Sequence, residues 1–233
     1  MEEIYFFVDE SGVDQATSLL LVGLVILDNP QLIRDRIEAL KQDILHDPYV
    51  RTIPSVMESL DRVGFHYSAD SLEVRRLFID FMSMQTFQAY IIFIDKDKLD
   101  NHQCNIKNLH KRLIQKVLFD RLMDHKNKII HISIEKPYKD TMSITGLIND
   151  TVSEINKKTK VDIISPVIKY PGKEEKCCSL PDYVCGIFRA HYLRLENAEN
   201  FEKRDFRRIV AKIRVIHDYV NDIFYTRRNP FPH

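Results

Sequence analysis

Two kinds of hydrophobic pattern divide the chain. Residues 4–8, Ile-Tyr-Phe-Phe-Val, and 18–27, Ser-Leu-Leu-Leu-Val-Gly-Leu-Val-Ile-Leu, are apolar at nearly every position and predict buried strands. Residues 87–94 and 128–134 repeat that pattern. The stretch 62–67 alternates through Val63, Phe65 and Tyr67 and predicts a short strand, and 161–168 predicts another. Apolar residues recur at the helical period over 31–45, 71–84, 105–124, 141–157, 182–196 and 205–224. Residues 48–61, with Pro48 and Pro54, read as a loop, and so does the lysine-rich stretch 169–176 around Pro171-Gly172.

The resulting order is strand, strand, helix, short strand, helix, strand, helix, strand, helix, strand, helix, helix. A short link between the first two strands suggests an antiparallel start, and helices between the later strands suggest parallel crossovers. No internal repeat, Gly/Ser-rich linker or low-complexity segment interrupts it, so one mixed α/β domain over 1–233 is the simplest organisation.

Composition narrows the class. The 233 residues are 44% hydrophobic and 29% charged, enough for a sizeable core under a polar surface. No apolar run reaches about 18 residues, the length that spans a bilayer. No secretory signal is visible at the N-terminus. Cys104, Cys177, Cys178 and Cys185 are irregularly placed, without C-x-x-C spacing, which fits free thiols and a cytoplasmic location. Net charge is zero but uneven: residues 1–60 hold four Lys/Arg against eleven Asp/Glu, whereas 201–233 hold eight against four. That polarity suits a metal site on one element and phosphate contacts on others.

Three predicted strands end in a carboxylate: Asp9 in Asp9-Glu10-Ser11-Gly12, Asp95 after 87–94, and Glu135 after 128–134. Carboxylates at the end of a buried strand cost desolvation energy unless compensated, and a divalent cation is one compensation. If these strands are parallel neighbours, the three acids line one sheet edge, where Mg²⁺ or Mn²⁺ would serve phosphodiester hydrolysis. Each acid also has a plain structural reading. Asp9 to Gly12 can close a hairpin. Asp95 opens the solvated Asp95-Lys96-Asp97-Lys98 turn, and Glu135 can pair with Lys136. A fourth acid, Asp182, lies in Ser179-Leu180-Pro181-Asp182, which has capping-box spacing at a helix start. Gly186, four residues on, would let that helix press against the sheet and carry Asp182 to the strand ends.

Five short pieces occur in an order that resembles the DUF3800 family, whose fold is ribonuclease H-like. They are Val8-Asp9-Glu10-Ser11-Gly12, Phe65-His66-Tyr67-Ser68-Ala69-Asp70, Ile94-Asp95-Lys96, Ile134-Glu135-Lys136 and Leu180-Pro181-Asp182-Tyr183-Val184-Cys185-Gly186. The resemblance implies an α/β ribonuclease H-like mixed sheet, antiparallel in its first strands and parallel in its later ones, flanked by helices. It would carry a helical insertion near 30–47 and a C-terminal helical extension over 200–233. It also implies a metal-dependent nuclease-like site with Asp9 bridging the metals and Asp95, Glu135 and Asp182 completing the shell. The chain departs from the family pattern at Gly64, Glu135 and Pro181.

For substrate contacts, Arg204, Arg208 and Lys212 form an i, i+4, i+8 basic stripe on the last predicted helix, and His66 is a candidate for proton transfer or substrate contact. The sequence therefore points to a Mg²⁺- or Mn²⁺-dependent phosphodiesterase acting on nucleic acid. The alternative is a catalytically inactive protein of the same fold that works through a protein or nucleic-acid partner. A third possibility, a small-molecule phosphohydrolase, is weaker, because the six glycines form no phosphate loop.

Overall fold

The computed structural model describes residues 1–14, 17–99, 105–134, 141–160, 163–172, 174–194 and 201–232, with only the backbone of 107 and 141–143. Cys104, Glu135, Lys136 and Lys173 lie outside the described residues. The elements are β1 (Glu3–Ser11), β2 (Leu19–Leu27), α1 (Pro30–His46), α2 (Pro54–Val63), α3 (Leu72–Met84), β3 (Gln88–Asp95), α4 (Ile106–Asp124), β4 (Ile129–Ile134), α5 (Thr141–Thr159), β5 (Val167–Lys169), α6 (Ser179–Tyr192), α7 (Phe201–Ile209), β6 (Ile213–Asp218) and β7 (Ile223–Tyr225).

They build a seven-stranded sheet in the order β5-β4-β1-β2-β3-β6-β7. The pairs β1/β2 and β2/β3 are antiparallel, whereas β1/β4, β4/β5 and β3/β6 are parallel. The run β3-β2-β1-β4-β5 is the ribonuclease H-like mixed sheet that the sequence implied. β2 sits at its centre and is buried along its whole length. Side chains alternate between two cores. Phe7, Leu21, Val25, Ile91 and Phe93 pack on one face under α1, α3, α6 and α7. Phe6, Val8, Val22, Leu24 and Ile92 pack on the other under α4 and α5.

Several expectations are corrected. Residues 48–61 are not all loop, because Pro54 opens α2; at a first helical position its missing N–H leaves no bond unmade. Residues 62–67 form no strand. Gly64, at φ +75°, ends α2, and the chain turns back through 65–70, with Phe65 buried on Phe78 at 4.4 Å between ring centroids. The helical insertion is not confined to 30–47, since α1, α2 and α3 all lie between β2 and β3. In the predicted strand 161–168, the described strand is only Val167–Lys169.

The C-terminal segment differs most. The helix over 205–224 and the helical extension over 200–233 give way to α7, ending at Ile209, and then to β6 and β7. Ile213, Val215 and Ile216 satisfy either period in a short window. The exposed edge of β3 offers a ladder, and β-branched residues take it, so β6 runs parallel to β3.

Candidate active site

β1 does not stop before its acids. It continues to Ser11, so Asp9 sits inside the strand, paired with Gly23 of β2. The expected hairpin is present, β1 against β2, but Asp9, Glu10 and Ser11 belong to its strand rather than its turn, and half-buried Asp9 faces the α6 side of it. Glu10, on the opposite face, pairs with His110 of α4. Gly12 has φ +79°, and a Cβ there would collide with the Leu19 carbonyl. Lys96 Nζ ties this turn down by donating to the carbonyls of Gly12 (2.9 Å) and Asp14 (2.6 Å).

Gly23 sets the position of α6. A Cβ at Gly23 would lie 2.5 Å from Cys185 Sγ and 3.4 Å from the Pro181 carbonyl oxygen, so the helix rests directly on β2 there. The glycine that admits the helix is therefore on the strand. Gly186 has a different task, because the Tyr67 ring covers it. The Cys185 thiol lies 3.8 Å from the Asp9 carbonyl oxygen. Burial pushes its pKa well up, and the charges of Asp9 and Asp182 push it further.

A second contact orients Asp182. The turn 65–70 docks on the first turns of α6 through two hydrogen bonds and is closed by a third within itself. The Tyr67 main-chain N–H donates to Asp182 Oδ2 at 2.7 Å, and the His66 N–H donates to Asp70 Oδ2 at 2.9 Å. The Tyr183 hydroxyl also donates to Asp70 Oδ2. Asp70 is buried, which raises its pKa although both of its hydrogen bonds work in the other direction. His66 Nδ1 lies 3.7 Å from Asp182 Oδ2 and 3.1 Å from Ser68 Oγ. Ser179 does not cap the helix, because its hydroxyl donates to the Lys176 carbonyl at 2.6 Å and the N-cap position falls on Cys178.

These elements enclose a cleft of about 720 Å³ lined by Asp9, Asp182, His66, Arg75, Arg189 and Arg194, among others. A smaller hollow of about 400 Å³ between α1, α2 and the start of α6 shares His66 and Asp182 as a wall. The segment before α6 is held by bidentate pairing, Arg34 Nε to Glu175 Oε1 at 2.9 Å and Nη2 to Oε2 at 2.7 Å.

No protein-family model and no curated protein matches the chain. Among solved structures it is similar to RNase HII of Archaeoglobus fulgidus in a complex with PCNA, at 12% identity over 89% of each chain and a TM-score of 0.45. It is also similar to ribonuclease H2 of Pyrococcus horikoshii, at 12% identity over 84% of this chain and 78% of that one, with a TM-score of 0.47. Likeness at this level carries no argument about chemistry.

The structure does not bring every candidate to the cleft. β3 is separated from β1 by β2, so the two are not the parallel neighbours expected. Asp95 pairs with Leu19 and Asp9 with Gly23, two strands across and four residues along, which sets their Cα atoms about 16 Å apart. Asp95 instead accepts from the Asp97 N–H (3.2 Å) and the Tyr192 hydroxyl (2.8 Å), and pairs with Lys98 at 3.2 Å. The basic stripe is broken as well. Arg208 pairs with Asp80, Lys212 lies past the end of α7 with Nζ on the Gln85 carbonyl, and Arg204 sits beside Asp205.

Arg75, Arg189, Tyr67 and Asp70 escaped sequence reasoning as site residues. Tyr67 and Asp70 lay within a quoted motif, but nothing in their spacing marked them. As potential metal ligands, Asp9 and Asp182 fit in kind, being hard oxygen donors suited to Mg²⁺ or Mn²⁺. Among the described residues no group of three or more His, Cys, Asp or Glu gathers to hold an ion.

Proposed function

We propose that the chain is a divalent-metal-dependent phosphodiesterase of the DUF3800 kind that hydrolyses nucleic acid. The observation that carries this reading is the convergence of Asp9, from the central hairpin, and Asp182, from α6, on a cleft that also holds His66 and three arginines. Carboxylates alone would suit a cation and arginines alone an anion; together they suit a metal-bridged phosphate.

In this reading Asp9, Asp182 and Glu135 are the ligands of Mg²⁺ or Mn²⁺, and Asp95 is left to its cap. The bound metal would supply Lewis acidity at phosphorus and help to generate the nucleophile from water. The chain's own residues do the rest. The Tyr67 N–H fixes one oxygen of Asp182 and so its orientation. His66, beside Ser68 and Asp182, is placed to take or give a proton at the cleft. Arg189, anchored on Ser11, sets positive charge beside Asp9's strand.

Full-length protein titrated with Mn²⁺ tests this. The expected result is a rise in melting temperature and cleavage of at least one of single-stranded RNA, single-stranded DNA or an RNA–DNA hybrid, both lost in Asp9→Asn. No shift and no cleavage, with Asp9→Asn indistinguishable from wild type, would sink the proposal. A second reading, a binding protein of this fold without catalysis, draws support from Asp95, one of the four expected ligands, being held by Tyr192 and Lys98 instead of lining the cleft. It expects metal-independent binding of nucleic acid or protein and no cleavage in the same titration.

A further inference from the structure

The cations of the cleft are not those of the predicted stripe. With Arg208 and Lys212 committed to Asp80 and the Gln85 carbonyl, three other guanidinium groups line the cavity: Arg75, Arg189 and Arg194. Each is held by another residue of the cleft lining. Arg189 Nη1 donates to Ser11 Oγ at 3.1 Å. The Arg75 guanidinium lies 4.6 Å from the centroid of the Tyr67 ring. Arg194 Nη1 pairs with Glu202 Oε1 at 3.1 Å; Glu202 is 5% exposed, whereas the arginine side chain is 59% exposed.

A guanidinium has five N–H donors, so one held by a single acceptor or a ring keeps others for a ligand in a pre-organised fork. The cleft is also polarised along α6. Asp182 is in the first turn of that helix, Arg189 is seven residues on, and Arg194 lies two residues past its end. Seven residues of helix span about 10 Å. One strand of a duplex advances about 3.4 Å along the axis per phosphate, so the run from Asp182 to Arg189 is on the order of three nucleotide steps.

Resting on the nucleic-acid reading above, we propose that Arg75, Arg189 and Arg194 form a phosphate-binding arm. It holds the backbone of a nucleic-acid strand to one side of the phosphate positioned at Asp9 and Asp182. Such contacts position a strand without reading bases, so the arm is blind to sequence.

The test uses Asp9→Asn protein without divalent metal and a fluorescein-labelled single-stranded oligonucleotide, with affinity measured by anisotropy across a salt series. Each phosphate contact contributes about −0.7 to the slope of log K against log salt for a single strand. Arg194→Gln and Arg75→Gln, each added to Asp9→Asn, are expected to weaken binding and flatten the slope by about that amount, and to do so equally for unrelated sequences. Arg75→Lys keeps the charge and is expected to keep the slope, which separates a phosphate contact from a folding defect. Arg214→Gln, on an exposed β6 position away from the cleft, is the charge control and should change neither quantity. Unchanged affinity and slope in both arginine variants overturn the arm while leaving Mn²⁺-dependent cleavage by wild type as evidence for the enzyme. No binding by the Asp9→Asn parent and no cleavage by wild type overturn both.

Discussion

The main-chain N–H of Tyr67 donates to Asp182 Oδ2 at 2.7 Å, joining two segments 115 residues apart in the chain. One carboxylate thus has two tasks, holding the turn 65–70 and facing the cleft. The tasks separate by substitution. Asp182→Asn keeps an acceptor for the Tyr67 N–H and removes the charge. Asp182→Ala leaves a half-buried donor unmade, which costs about 1–3 kcal/mol. Denaturant unfolding should show the Ala variant destabilised by that amount and the Asn variant near wild type. Both should lose the Mn²⁺-dependent rise in melting temperature. An Asn variant that keeps the full rise removes Asp182 from the ligand set.

The contact of α6 with β2 depends on a missing side chain. Gly23→Ala would place a Cβ 2.5 Å from Cys185 Sγ, inside van der Waals contact. Forcing the pair apart costs about 1–3 kcal/mol, the usual range for overpacking. Because the sulfur is the nearest atom, the double variant Gly23→Ala/Cys185→Ala should recover part of that loss. Thermal melts of the two singles and the double measure the coupling. Additive losses would show that the helix does not bear on the strand through this sulfur.

How far the sequence foretold this arrangement follows from the range of each signal. Strands apolar on both faces, such as Leu19–Leu27, announce themselves because nothing but a buried position tolerates them. The position of Asp9 was legible for the same reason. Convergence of Asp9 with Asp182 was not, since it depends on Gly23 admitting Cys185, a contact between residues 162 apart in the numbering. Asp95 looked equivalent to Asp9 because both follow an apolar run, and only the intervening β2 separates them. The segment 213–218 read as helix because Ile213 and Ile216 fit a 3.6-residue period, and the β3 edge that draws it into the sheet is nowhere near it in sequence.

The Arg34–Glu175 pair gives a pH dependence of definite sign. Burial alone would raise the pKa of Glu175, but the bidentate Arg34 guanidinium and the Cys177 N–H outweigh it and hold the carboxyl below its ordinary value of 4.5. A depressed carboxyl contributes stability that is fully present above its unfolded value and is lost as pH falls through the folded one. Arg34→Leu removes the chief cause, at a cost of about 2 kcal/mol near neutral pH, the range for a charge-assisted hydrogen bond. The stability gap between wild type and variant should therefore shrink as pH drops below 4.5. Urea unfolding at about pH 7 and about pH 3.5, on either side of that value, measures it. A gap equal at both would show that the pair does not titrate this way.

The Asp70 carboxyl contributes to stability with the opposite slope, although the gap opened by Tyr183→Phe, like that of Arg34→Leu, narrows as pH falls. Burial raises the Asp70 carboxyl above its ordinary value of 3.8, while the Tyr183 hydroxyl and the His66 N–H, both on Oδ2, pull it back. A carboxyl with a raised folded pKa stabilises the protein most below its unfolded value, and that contribution is lost as pH rises through the folded one. Tyr183→Phe removes one of the two donors that make the buried carboxylate tolerable. Its penalty, about 1–3 kcal/mol for a buried group left short of a partner, should be larger at neutral than at acid pH, because the Tyr183 hydroxyl favours the ionised carboxyl. It should fall at pH values near 3.8, where the carboxyl is increasingly protonated and needs the donor less. Asp70→Asn keeps an acceptor for both donors without the charge, so in that background Tyr183→Phe should cost the same at both pH values. A penalty that stays flat when Asp70 is present, or one that still varies in the Asp70→Asn background, would assign the pH dependence to another group.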